Sequence, residues 1–478
     1  MKKHYNCEVN EINYYDVVVA GGGPAGIGAA IAAGRCGLKT LLVEDNCCLG
    51  GVSTAGALPF YLGAMTGSIS FPQMLKKGLA YKDLNRPREA VGGIFKEMVR
   101  RIKEAEGGVG PCVMAQTDKY PGLDRLGCHD EFTFDIEIGK RVLDEMTLSS
   151  GVEILYYTKA IDVERNGDRI DGVYISNKSG VSYVPCGVVI DCTGDADLIA
   201  AAGFETYKGD RITGEMTHVS LVCHIEGIDM AAIEAYLNEG GDPWFRDICE
   251  KAKAENPELD LPHRLIAFPM MQEGVLMING GMSDYGYDGT SGTDRTRVTL
   301  WGRQRAKLVT EVLFRKYIPG GENARLRLTA YYPGVRETRR IVGETMLTEE
   351  SLFCEEAPKD IIALAGRHFD LSRPQKNKSF GNVPLQAFGE KKLPHGAMGI
   401  PYGTLVPKGS ENVFAAGRCI AADGQTLGPA RIMSTCMAVG EAAGVASSIM
   451  LKNKLKSMEI DVQELRGMLR DKGAIVDL

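Results

Sequence analysis

No Cys-x-x-Cys pair occurs in this chain although it carries 13 cysteines, so the paired thiolates that hold an iron–sulfur cluster or a structural zinc are missing. An odd number of cysteines in a long chain also favours reduced thiols over a disulfide framework. The seven histidines never join the cysteines at ligand spacing, and no metal is expected. There is no uninterrupted run of about 18 apolar residues, and the opening MKKHYNCEVNEINYYD has two lysines with no apolar segment behind them. Neither a membrane span nor a secretory signal is expected, and the cytoplasm is the expected compartment. A basic stripe is absent too: the net charge of −7 is spread along the chain, which argues against a nucleic-acid surface and leaves a small molecule as the expected partner. No internal repeat is visible. What abounds is glycine, 58 of 478 residues against an average of about 7%, so many tight turns or close backbone approaches are required. The length suits two domains.

Tyr15 to Ala20 (YDVVVA) is a β-branched run of the kind a buried parallel strand uses, and it leads into Gly21-Gly22-Gly23-Pro24-Ala25-Gly26. Small and apolar residues then continue to Cys36 as a helix pressed on a sheet, and Leu38 to Glu44 reads as a second strand. Strand, glycine turn, helix and strand form a dinucleotide-binding unit. Gly21 permits the tight turn, Gly23 lets the backbone approach a pyrophosphate, and Gly26 allows helix and strand to pack closely, with Pro24 and Ala25 opening the helix. Glu44, followed by Asp45, stands where an acid hydrogen-bonds a ribose hydroxyl pair and disfavours a 2′-phosphate. A bare glycine turn without ligand is the alternative, and the strand, helix and acid together argue against it. A second strand–GxGxxG–helix unit is missing, so no dedicated nicotinamide site is visible.

After Glu44 the chain runs into Gly50-Gly51-Val52-Ser53-Thr54, a glycine loop that NAD dehydrogenases usually lack. Val188 to Asp197 (VVIDCTGDAD) follows the alternating segments 152–163, 169–176 and 181–185, and Asn412 to Cys419 (NVFAAGRC) precedes Gly428-Pro429-Ala430-Arg431-Ile432-Met433. Three further segments stand out: Gly334-Val335-Arg336-Glu337-Thr338-Arg339-Arg340, Ile400-Pro401-Tyr402 and Ala416-Gly417-Arg418-Cys419. In this order they resemble the FAD-dependent oxidoreductase family of the glutathione-reductase-like flavoprotein superfamily, over about residues 14–450. The resemblance implies an α/β fold: a Rossmann-like FAD-binding domain, with a parallel sheet and a β-meander, plus a discontinuous α+β substrate or cap domain. The FAD-binding domain is expected over 14–75, 132–220 and 395–452, the cap over 76–131 and 221–394, and a charged helical tail over 453–478. FAD is the implied cofactor, held by the glycine turn, Glu44, Asp45, Gly50, Gly51, Val52, Thr54, Ala160, Thr193, Gly194, Asp195, Gly417, Arg418, Arg431, Ile432 and Met433. Relatives commonly place an Arg after Pro-Tyr and a histidine-bearing stretch before it. Here stand Gly403 and the segment Gln375 to Lys392, which implies a different substrate.

The expected reaction is hydride transfer at the flavin N5, as a dehydrogenase or reductase, because the flavin carries the redox chemistry and the protein orients the substrate. An oxidase, an electron-carrier subunit with a protein partner, a homo-oligomer and a non-redox use of flavin remain open alternatives. The start of the last helix, at Arg431, Ile432 and Met433, is expected to face the N1–C2 edge of the flavin with its positive dipole end; an ordinary helix cap is the plain alternative. Arg336 and Arg340 share a face in either regular structure and form the anion-binding candidate, against surface ion pairs with Glu337 and Glu344. Tyr402, His395 and His129 are candidates for the acid or base, each weighed against a structural hydrogen bond. Cys47 and Cys48 precede the glycine pair rather than following it, so packing is favoured over redox chemistry, as for Cys419 and Cys436.

Overall fold

A computed structural model describes residues 7–66, 88–110, 116, 119–126, 132–210, 214–352, 356–366 and 395–478. Its centre is an eight-stranded sheet: β1 (Val9–Glu11), β2 (Tyr15–Ala20), β3 (Thr40–Val43), β4 (Val152–Leu155), β5 (Lys159–Asn166), β6 (Arg169–Asn177), β7 (Gly180–Asp191) and β8 (Val413–Ala415). The strand order is β4-β3-β2-β7-β6-β5, with β1 and β8 also pairing with β7. β2, β3, β4 and β8 are parallel to their neighbours, whereas β5, β6 and β7 form an antiparallel meander.

One strand, β7, belongs to both parts, and its sequence shows it. Gly180 to Pro185 pairs with β6 and β1 and is only partly buried, while Cys186 to Asp191 lies between β2 and β8 and is buried throughout. A strand covered on both faces must be apolar on both, hence Cys186-Gly187-Val188-Val189-Ile190.

Helix α1 (Pro24–Arg35) begins with proline at its first position and buries Ala25 through Ala33. Its partner is the long helix α2 (Met433–Asn453), and the two approach through glycine. A Cβ on Gly28 would lie 2.2 Å from Met437 O, one on Gly440 1.9 Å from Ala25 O, and one on Gly444 2.4 Å from Ala29 O. Nothing larger fits at any of the three. α2 is apolar and long enough to cross a membrane, but 94% of its most apolar window is buried inside the protein, as in a core helix.

The segment above the sheet is antiparallel. Strands Ile266–Pro269, Leu276–Gly280, Cys223–Glu226 and Arg325–Thr329 make a four-stranded sheet in that order. Its core holds Cys223, Ile225, Leu276 and Ile278 with Ile233, Phe245 and Phe314. Ser283–Asp284, Val219–Ser220 and Gly334–Val335 form a three-stranded sheet in that order. The tail is helical over Val462–Asp471, with Asp461 as its cap, and it buries Leu465 and Leu469 in the main core.

Glu441 is buried on α2, and its carboxylate accepts the Ile94 amide at 3.0 Å. Burial pushes its pKa up to about 7, against the opposing pull of that amide. A carboxyl raised above its unfolded value of about 4.3 stabilises the fold fully below that value, and this contribution is lost as pH rises through about 7. The melting temperature of Glu441→Gln, measured relative to the parent, therefore rises between pH 5 and pH 8. A constant difference would refute the assignment. Gly440→Ala should cost at least about 1–3 kcal/mol by overpacking. Gly467→Ala, in the tail helix with nothing within 4 Å of the new methyl, should stabilise by about 0.5–1 kcal/mol. Thermal unfolding of the two variants checks both signs.

Candidate functional site

The glycine turn is built as its spacing requires. Gly21 has φ +101°, its amide donates to Val43 O at 2.8 Å, and a Cβ there would stand 2.5 Å from Cys192 O. A Cβ on Gly26 would stand 1.7 Å from Gly21 O. Gly23 differs: a Cβ there would meet nothing within 4 Å, although the residue caps α1. The turn thus leaves open space in front of the helix N-terminus, where the first amides lack intrahelical acceptors. Gly22 is pinned from both sides, its amide donating to Glu44 Oε2 at 2.5 Å and its carbonyl accepting Gly50 N at 2.9 Å. Glu44 is buried and its second oxygen takes the amide and side chain of Asn46; Asp45 beside it is exposed. Gly50 and Gly51 both have positive φ, and Thr54 Oγ1 donates to Leu49 O, closing the loop from within. Val52 O accepts the Leu58 amide. Ala160 lies near the start of β5, two residues after Thr158, whose amide donates to Glu44 O.

The other wall comes from the end of β7 and from β8. Asp191 is buried and accepts the Thr193 amide and hydroxyl and the amides of Leu198 and Ile199. Burial pushes its pKa up to about 6 in spite of these bonds. Asp195 is the hub. Its carboxylate binds Arg418 at 2.9 Å, Arg295 at 2.6 Å and the Thr338 hydroxyl at 2.6 Å. Burial raises its pKa, but the Arg418 and Arg295 charges outweigh that and hold it below the usual carboxylate range. Gly194 has φ +79°, which favours glycine, and a Cβ there would lie 2.6 Å from Arg418 Nη2. Gly417 has φ +101°, and a Cβ there would stand 3.2 Å from the Ala25 methyl. Arg418 Nη1 and Thr435 Oγ1, the latter in the first turn of α2, are buried without a hydrogen-bond partner.

A half-buried group of polar and aromatic side chains, the candidate substrate chamber, adjoins this cradle through Tyr332. Arg336 donates to Ser220 Oγ at 2.9 Å, Asn279 Oδ1 at 3.3 Å and His218 O at 3.4 Å. The His218 and Tyr285 rings meet edge to face, 5.5 Å apart. Burial first, and then the charges of Arg336, Arg431 and Arg264, push the His218 pKa well below its ordinary value. Tyr332 connects chamber and cradle: its hydroxyl lies 3.4 Å from where a Gly51 side chain would begin.

Several expectations change. Arg336 and Arg340 do not share a site. Arg340 is fully buried, bonded to Glu337 and to Gly209 O and packed over the Tyr207 ring, so it holds the fold together. Tyr402 is sealed in the core, its hydroxyl donating to Ser457 O and its pKa raised by burial, which takes it away from proton transfer with a substrate. His395 lies half-buried in the turn before Met398–Pro401, beside Gly396, which approaches Thr66. Arg431 closes the short helix Leu427–Ala430 rather than starting the long one; Ile432 is the N-cap of α2 and Met433 its first residue. Cys48 is buried against Thr54, Cys47 is exposed, and both are free thiols. His129 and the segment Gln375 to Lys392 lie outside the described residues. Among the described residues no group of three or more His, Cys, Asp or Glu side chains could hold a metal ion.

Sequence reasoning missed Arg295, His218, Tyr285, Asn279, Arg264 and Tyr332. Thr338 was missed too, although it lay inside the singled-out segment Gly334 to Arg340.

The model of the family described as FAD dependent oxidoreductase matches residues 16–469. The chain belongs to that family. A curated relative, the tRNA uridine 5-carboxymethylaminomethyl modification enzyme MnmG of Lactobacillus johnsonii, is 30% identical over 145 residues, 30% of this chain and 21% of that protein. The chain thus spans about a fifth of that relative's length. Among solved structures, a geranylgeranyl bacteriochlorophyll reductase-like protein of Thermoplasma acidophilum is 12% identical, covering 96% of this chain and 84% of that one, with a TM-score of 0.44. L-proline dehydrogenase of P. horikoshii is 13% identical, covering 97% and 99%, with a TM-score of 0.41.

This FAD dependent oxidoreductase is an enzyme whose cofactor is FAD, and the residues present suit it: a cradle left open at Gly23, a buried acid at the ribose position, and two orphaned polar atoms at the far end. Gly23→Ala separates fold from cofactor. The methyl meets no protein atom but occupies the phosphate approach, so the variant should fold with an unchanged apoprotein melting temperature while binding FAD at least about tenfold more weakly, a factor worth about 1.4 kcal/mol. The ratio of absorbance at 450 nm to that at 280 nm after gel filtration reads this out, and full flavin content in the variant would contradict it.

Proposed function

We propose that this enzyme is a dehydrogenase or reductase that exchanges a hydride with a small organic substrate in the chamber adjoining the cradle. The observation that carries the reading is the layering: the glycine turn and the Gly50–Gly51 loop meet the start of α2, and His218, Tyr285 and Arg336, each next to a short antiparallel strand, gather with Asn279 of the strand Leu276–Gly280. FAD, when bound, supplies a two-electron couple whose N5 exchanges a hydride with a substrate carbon. The protein's part is positioning and charge. The dipole at the start of α2 favours negative charge beside it, and Asp195 fixes the Arg418 guanidinium.

We assign proton transfer to the His218–Tyr285 pair, since Tyr402 is sealed in the core. The test is anaerobic: the purified yellow protein is mixed with candidate alcohols, amines and acids, and bleaching at 450 nm is followed. Tyr285→Phe and His218→Asn should slow bleaching by about 10²-fold or more with flavin content unchanged. Full-rate bleaching in both variants would remove the pair from the mechanism. A protein that no small molecule bleaches, but that co-purifies with a redox partner, would make it an electron carrier instead.

A further inference from the structure

We propose that Tyr332 is a cofactor-binding residue supplied by the antiparallel layer, and that its hydroxyl donates a hydrogen bond to the pyrophosphate of FAD. The inference holds whichever substrate the enzyme takes. Tyr332 stands between the strands Arg325–Thr329 and Gly334–Val335, just after Ala330 N donates to Val222 O at 2.8 Å and Tyr331 N to Ala55 O at 3.0 Å. Pro333 follows it and disfavours helical backbone at Tyr332. The chain is thus fixed on both sides of the ring.

One point locates the hydroxyl relative to the glycine turn. The place where a Gly51 side chain would begin lies 3.0 Å from Gly23 Cα, 3.4 Å from the Tyr332 hydroxyl and 3.6 Å from Pro24 Cδ. Gly23 is the N-cap of α1 and Pro24 its first residue, so the phenol stands at the helix end whose first amides lack intrahelical acceptors. It does not fill that end, since a Cβ on Gly23 would meet no atom within 4 Å. Helix end, glycine loop and phenol therefore meet where a dinucleotide-binding turn runs the pyrophosphate past its glycines.

The hydroxyl is also the right kind of group. Tyr15 donates to Glu153 at 2.6 Å, Tyr61 pairs with Ser53 at 3.1 Å and Tyr207 donates to Ala422 O at 2.8 Å. Tyr332 is half-buried, yet among the described residues its hydroxyl makes no hydrogen bond. A phenol taken out of water normally keeps a partner. Burial first, and then the Glu44 charge, push its pKa up, so it stays protonated and has a hydrogen to give to an anion. Such a bond adds to the helix dipole in favouring phosphate.

The layer that carries Tyr332 is clamped to the loop it serves. His224 Nε2 donates to Ala57 O at 2.8 Å, and the Phe60 and Phe268 rings stack 4.7 Å apart. With Tyr331 N on Ala55 O, these contacts hold the layer against the stretch that begins at Gly50. FAD is then gripped by the part of the chain that shapes the substrate chamber as well as by the Rossmann unit.

The test uses the flavin-loaded protein and Tyr332→Phe, which removes one hydroxyl and no hydrogen bond within the protein. On dilution the variant should release FAD at least about tenfold faster than the parent, the factor that a hydrogen bond to a charged group supports. Free-flavin fluorescence reads the release. In phosphorus NMR of the bound cofactor at least one pyrophosphate resonance should move, while the flavin potential and the apoprotein melting temperature stay as in the parent. Tyr331→Phe, at an exposed neighbouring ring, should change none of these. Release at the parent rate, or unmoved phosphorus resonances, would overturn the proposal. So would an altered flavin potential, which would put the hydroxyl on the ring system, or a lowered apoprotein melting temperature, which would make it part of the fold. A flavin that no small molecule reduces would sink the hydride reading and leave this one standing.

Discussion

The backbones of the first and last long helices touch, and the rest of the site depends on that contact. At Gly28, Gly440 and Gly444 no side chain separates the helices, so carbonyl oxygens of one lie where a methyl of the other would be. This is why α1 is buried along almost its whole length and shows no polar face, unlike a surface helix. It is also what carries Gly417, Arg418 and Thr435 to the mouth of the Gly21–Gly26 turn. Two stretches from opposite ends of the sequence become one cradle because small residues let them approach.

Charge does for the cap what close packing does for the sheet. Asp195 stands in the turn after β7 and is held by Arg295 from the helix Gly292–Leu308, Thr338 from the arginine-rich segment and Arg418 from the turn after β8. Burying a carboxylate is costly unless partners surround it, and here two guanidinium groups and a hydroxyl do so. Removing any one of them would leave the others facing an imperfectly compensated charge. The same few residues therefore fix both the position of the cap and the orientation of Arg418.

What the sequence made legible was whatever depends on near neighbours in the chain. The strand YDVVVA and the tight turn through Gly21 and Gly26 follow from local sterics and are found as read, while Glu44 stands just past β3 with its carboxylate on Gly22 and Asn46. The meander and the Thr193-Gly194-Asp195 turn were equally readable, since alternation and glycine mark them. The chamber was not. His218 and Tyr285 sit in segments with no distinctive spacing, and the pairing of Val219–Ser220 with Gly334–Val335 and Ser283–Asp284 is what brings them to Arg336. Tyr402 misled for the opposite reason: a family segment marked it, yet its place is in the core, where a phenol can be kept for one backbone hydrogen bond. Arg340 misled similarly, because period-2 spacing puts it beside Arg336 only if the strand is unbroken, and Gly334–Val335 and Arg339–Ile341 are separate strands in different sheets.

α2 has one more consequence, for the way the protein is made. It is apolar enough to pass for a membrane span, and its cover is the helix near the amino terminus, synthesised long before it. Until the ribosome has delivered α2, α1 waits with a bare glycine face and the cradle lacks a wall. Prosthetic-group capture is then one of the last events of biogenesis, and a chain cut short before α2 leaves an early product with an uncovered apolar groove, the kind of surface that chaperones hold and proteases clear.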